Sequence, residues 1–167
     1  MKPTKTRDAA SDYQAKTIYE AARISRLIKQ AGLPEPLGDP SCGILLAVEP
    51  PVGPRLIQAL ERSLETVNLA QAYVTWTGSS HLLEEILAFE PAALVAVGPE
   101  ASQTIDDLGY PLVRNHFSDA REGEWFSWTG AISGLRLPPL APALSDEDAK
   151  RSFWRAFLAL RNPVWAS

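Results

Sequence analysis

The chain is poor in the side chains that do chemistry at neutral pH. It holds one cysteine and two histidines among 167 residues. A lone Cys42 forms no internal disulfide and no Cys-based zinc site, which fits a reducing compartment and a thiol buried in a strand. His81 and His116 stand far apart with no His-x3-His or Cys-x2-Cys spacing, so no tetrahedral metal set is expected. Neither G-x-G-x-x-G nor a P-loop sequence occurs, which removes the common nucleotide cradles. No apolar run approaches the ~20 residues that a spanning helix needs. Lys2, Lys5, Arg7 and Asp8 make the N-terminus too polar for a secretory signal. The expectation is a cytoplasmic protein without cofactor, metal or membrane contact.

What is present suits a folded domain, because 46% hydrophobic content over this length supplies a full core. The net charge is −4, unevenly spread. Residues 1–30 hold seven basic side chains against Asp8, Asp12 and Glu20, so the rest of the chain carries a charge of −8. Sequence-independent DNA affinity comes mostly from Lys and Arg. So acidic a body points to a protein partner, with DNA contact at most indirect.

Periodicity predicts alternating helices and short apolar strands. Residues 9–31 read as a helix, ended by the Gly32 to Pro40 cluster. Strands are expected at Gly43 to Glu49, Ala72 to Trp76, Ala92 to Val97 and Ala131 to Leu137. Helices between them run through Leu56, Leu60 and Leu64, through Leu82, Leu83, Ile86 and Leu87, and from Gly98-Pro99 to Ile105. Glu84 and Glu85 are read as early-turn carboxylates favoured by the helix dipole. Trp125 to Trp128 reads as a ribbon or an edge, and a last helix starts at Ser145 with a capping-box-like pattern. Right-handed crossovers would then give a three-layer α/β/α sandwich around four mostly parallel strands. Residues 1–38 read as a basic N-terminal helix and linker, and 39–167 as the α/β domain.

In such a sheet ligands bind beyond the carboxyl ends of the strands. Glu49 ends the first strand and could act as a general base or orient a water, with Pro50 shaping the loop; a solvated or turn-capping carboxylate is the plainer reading. Ser80 and His81 are neighbours on a helix and cannot pair as nucleophile and base. Gly98-Pro99-Glu100 opens a helix, but Pro99 offers no N–H and Glu100 would repel a phosphate. Trp154 reads as core, whereas Trp125 or Trp128 could anchor a protein interface. No catalytic activity is expected.

The order of elements and their joints resembles the uracil-DNA glycosylase superfamily over about residues 40 to 162. Val48-Glu49-Pro50-Pro51 stands where that family has Gly-Glu-x-Pro-Gly, and Val97-Gly98-Pro99-Glu100-Ala101 matches its Leu-Gly-x-x-Ala joint. Leu137-Pro138-Pro139 stands at its His-Pro-Ser, so the proline matches while the histidine and serine are missing. Trp76 lies where a base-reading Asn is expected. The pocket positions Glu49, Pro50, Trp76, Leu137, Pro138 and Pro139 therefore look catalytically degenerate.

Pro138-Pro139-Leu140, Lys150-Arg151 and Phe153-Trp154 are also similar in spacing to the psi-subunit family of bacterial DNA polymerase III, as is Leu27 to Leu33. That likeness implies a connector between clamp-loader subunits and a chi-like subunit, and so to single-stranded-DNA-binding protein. The N-terminal helix would then dock on the loader through Tyr13, Ile18, Tyr19 and Ile24. Packing of the same helix on its own sheet is the alternative reading. A base-excision enzyme that uses Glu49 to position water is the second hypothesis.

Overall fold

Two apolar runs make the centre of the sheet because their residues have no polar face to turn outward. The computed structural model describes residues 9–162. Residues 1–8 of the expected N-terminal segment, with Lys2, Lys5 and Arg7, lie outside the described residues, as do 163–167. Strand β1 (Ile44–Val48) and strand β3 (Ala93–Val97) are buried at every position. Strand β2 (Tyr73–Trp76), β4 (Trp125–Ser127) and β5 (Ser133–Leu137) complete a sheet of order β2-β1-β3-β5-β4.

The sheet has five strands rather than the expected four, and it is mixed. β2, β1, β3 and β5 are parallel, while β4 runs antiparallel to β5. The reason lies in the turn at 128–132. Trp128 N and Thr129 N both donate to Ile132 O, and the Thr129 hydroxyl accepts from Ile132 N at 3.0 Å. So tight a return joins neighbouring antiparallel strands, whereas a parallel pair needs a long crossover.

β2 lies at the edge of the sheet, yet all four of its residues are buried. Leu37 covers it, exchanging two 2.9 Å backbone hydrogen bonds with Val74. Gly38 follows at φ +81, and a side chain there would overlap the carbonyl of Ala72. The segment read as a linker is therefore a cover for the sheet edge.

Helix α1 (Ala9–Gln30) buries Thr17, Ile24 and Ile28 on one stripe and contacts α3 (Leu82–Phe89). Helix α2 (Pro54–Thr66) buries Leu56, Leu60 and Leu64 at helical spacing. Helix α4 (Pro99–Asp106) packs on β3, and α5 (Glu147–Phe157) contacts β5. The α5 cap is Asp146, whose carboxylate accepts from Ala149 N at 3.1 Å, one residue later than expected. Cys42 precedes β1, half-buried, and donates to Ile44 O instead of lying in the strand. Among the described residues no helix is long and apolar enough to cross a membrane.

Candidate functional site

Sheet register places the expected pocket positions on a single rim. Trp76 is level with Val48, Val48 with Val97, and Val97 with Leu137, all at the carboxyl ends of the parallel strands. Strand order turns around between β1 and β3, which is where an open α/β sheet leaves a crevice. Glu49 and Gly98 stand at that crevice.

The Glu49 carboxylate lies across it and caps α4. Its Oε2 accepts from Glu100 N at 2.6 Å and from Ala101 N at 3.2 Å. These are first-turn amides, left without intrahelical partners and ready for a negative charge. An anion site at this joint is thus filled by the chain's own side chain. Gly98 makes this approach possible, because at φ +103 a methyl group on it would overlap Glu49 Oε1. Burial raises the carboxyl above its ordinary range, against the opposing pull of the two amides.

The other rim positions are apolar, and Trp76, Leu137 and Pro138 are closed off from solvent. Trp76 is fully buried, and its indole N–H donates to Pro34 O at 2.8 Å, which draws residues preceding β1 over the end of β2. Leu137 and Pro138 are buried and Pro139 is half-buried, while Pro50 faces solvent. A groove of about 770 Å³ opens nearby, but Pro34, Val52, Pro54 and Ile57 line it with the polar residues of α2. Neither Glu49, Trp76 nor Leu137 contributes to it. Among the described residues, no three His, Cys, Asp or Glu side chains come together to hold a metal.

Two expected contact residues belong to the core instead. Ile24 and Trp128 are each 0% exposed, and a side chain without accessible surface cannot meet a partner. Ile24 packs inward because it shares a helical stripe with Thr17 and Ile28. Trp128 packs against Tyr110 with tilted rings 4.7 Å apart and meets Phe117 edge-on. Trp125 is half-buried and donates to Ala159 O at 3.0 Å. On α1, Tyr13, Ile18 and Tyr19 remain exposed, at 46%, 69% and 65%.

The chain matches no protein-family model and no curated protein.

Glu85 was not among the expected site residues. It is fully buried under α3, where its carboxylate accepts from Tyr73 Oη at 2.6 Å and Thr75 Oγ1 at 2.8 Å. Burial pushes this carboxyl up to about 7, although both hydroxyls favour the ion. The signal was present in the spacing, since Leu82, Glu85, Ile86 and Phe89 form one i, i+3, i+4, i+7 stripe. His81 and His116 make contacts with Glu84 and Asp106 respectively. Asp106 also accepts from Phe117 N at 2.8 Å and from the Ser118 hydroxyl, and Arg136 Nη1 donates to Ser118 O and Ala120 O. The irregular segment before β4 is pinned by these bonds at residues 117–120.

Proposed function

We propose that this chain is a non-catalytic adaptor built on a uracil-DNA glycosylase-like scaffold and similar to the psi subunits of DNA polymerase III. The closed rim carries the reading. At the place where an enzyme of that fold would need free polar groups, Glu49 is engaged by α4, Trp76 by Pro34, and Leu137 offers only hydrocarbon. Recovering the few kcal/mol that base flipping costs needs specific pocket contacts. The parallel order 2-1-3-5 supports the scaffold. Right-handed crossovers set α2 on one face and α3 and α4 on the other; contact with α3 adds α1 to the second face, and Arg55 of α2, which donates to Leu144 O just before α5, adds α5 to the first, a three-layer α/β/α sandwich.

In this reading α1 faces the clamp-loader subunits through Tyr13, Ile18 and Tyr19, the body serves a chi-like subunit, and the protein works in the cytoplasm. Purification of the tagged chain from its native cells, with mass spectrometry of the bound proteins, tests it. Clamp-loader and chi-like subunits are expected in the eluate, and their consistent absence refutes the assignment.

One observation favours a base-excision enzyme: Glu49 is only half-buried, and its raised pKa suits a general base. A uracil-release assay on single-stranded and duplex DNA separates the two readings. No release is expected; release abolished by Glu49→Ala would establish the enzyme.

A further inference from the structure

Helix α3 makes two polar contacts of opposite kind. Outward, Glu84 accepts from Arg23 of α1 at 3.1 Å, and Arg23 also holds Glu20 at 2.8 Å. Inward, among the described residues, Glu85 reaches β2 and meets only the hydroxyls of Tyr73 and Thr75. Among the described residues it makes no ion pair. A fully buried carboxylate without a cation is costly, because two neutral hydrogen bonds replace only part of its hydration.

We propose that Glu85 is a pH-operated latch: as the neutral acid it holds α3, and with it α1, against the edge of the sheet, and loss of its proton to water loosens both. The neutral carboxyl donates to one hydroxyl while accepting from the other, since each hydroxyl can take either role. The ion has no such balance. The charged and titratable groups around the seam are Glu84 and His81 on α3, Glu20 and Arg23 on α1, and Tyr73 on β2. Arg23 is already shared by two carboxylates, and the charge on Glu84 opposes a second one beside it.

The sign follows from the direction of the shift. An acid whose folded pKa is raised from 4.5 to about 7 binds its proton more tightly when folded. Its stabilising effect is complete below the unfolded value and is lost as pH rises through that window. If opening returns the carboxyl to its ordinary value, the population of the open seam rises about tenfold between roughly pH 6 and pH 8. The latch stands whether or not α1 carries a partner.

Hydrogen exchange of the α1 and α3 amides across that pH range, corrected for intrinsic rates, tests it. The wild type is expected to show the tenfold rise, Glu84→Gln to retain it, and Glu85→Gln to abolish it, because the amide keeps one donor and one acceptor for the two hydroxyls. A rise of equal size in Glu85→Gln overturns the latch. Independently of any variant, the carboxyl carbon shift of Glu85 in the wild-type protein should titrate near 7, and a midpoint in the ordinary carboxylate range overturns it as well.

Discussion

Replacing Gly98 with alanine tests the claim that Glu49 holds the fold together at the rim instead of working on a substrate. Two separate penalties are expected. At φ +103 an alanine sits in a region that L side chains rarely adopt, which costs about 1–3 kcal/mol. The new methyl also displaces Glu49, so α4 loses its cap and two amides lose a charged acceptor. Because Glu49 is half-buried and rehydrates when expelled, this second loss is about 1–2 kcal/mol. Glu49→Ala removes only the cap and should cost that smaller amount. In the double variant the cap is lost once and the overlap disappears, so its cost should match that of Gly98→Ala alone. Urea denaturation of the four proteins, at constant m, measures the cycle. A coupling of about 1–2 kcal/mol is expected for two residues in contact. Additive costs would refute the geometry and return Glu49 to the list of catalytic candidates.

Other substitutions separate closure of the rim from docking. Trp76→Ala empties a fully buried position and removes the bond to Pro34, so it should destabilise by about 3–5 kcal/mol in urea melts. Ile24→Ala should cost about 2–5 kcal/mol, because Ile24 is core. Ile18→Ala and Tyr19→Ala should stay within about 0.5 kcal/mol of the wild type, as exposed positions do, while weakening capture of the partner in a pull-down. Full capture by both exposed variants would remove α1 from the interface.

The parallel strands were legible because Gly-Ile-Leu-Leu-Ala-Val and Ala-Leu-Val-Ala-Val are continuous apolar runs of strand length, and burial on both faces leaves little choice. β4 was harder, since Trp125, Phe126 and Ser127 are half-buried or exposed and their pairing depends on a turn built by Thr129. The partner of Glu49 lies 51 residues further along the chain, so nothing local announces the cap. Glu85 stands in the first turn as expected, and only its burial went unread. Its position in an early turn satisfied the dipole rule, but the helix is oriented by Leu82, Ile86 and Phe89, which turn Glu85 inward and leave Leu87 53% exposed. The dipole preference fixes only the turn in which a carboxylate stands, while the apolar stripe fixes the side of the helix on which it lies. The exposed and buried members of the α1 set share one helix, and its contacts with α3 and with residues 39–41 decide which is which.

Among the described residues both sheet edges carry a cover, and this narrows how the proposed adaptor could bind. Leu37 occupies the hydrogen-bonding groups of Val74 on one side. On the other, Arg114 N donates to Trp128 O at 2.7 Å and Asn115 Nδ2 to Ser127 O at 2.7 Å. Extension of the sheet by a partner's strand is therefore blocked where these groups meet the edges, and side-chain faces must do the docking. The outward stripe of α1 brings together Ala15, Ile18, Tyr19 and Ala22, all exposed, at the spacing of one helical face. Lys16 and Arg26 lie beside it. If the proposed docking runs through this stripe, Lys16 and Arg26 against Asp12 leave it net positive, which suits a partner with an acidic surface. Capture through α1 should then fall as salt shortens the screening length below ~8 Å. Capture unaffected by salt would mean that the cations beside the stripe face solvent in the complex, and that the apolar contacts of Ile18 and Tyr19 suffice.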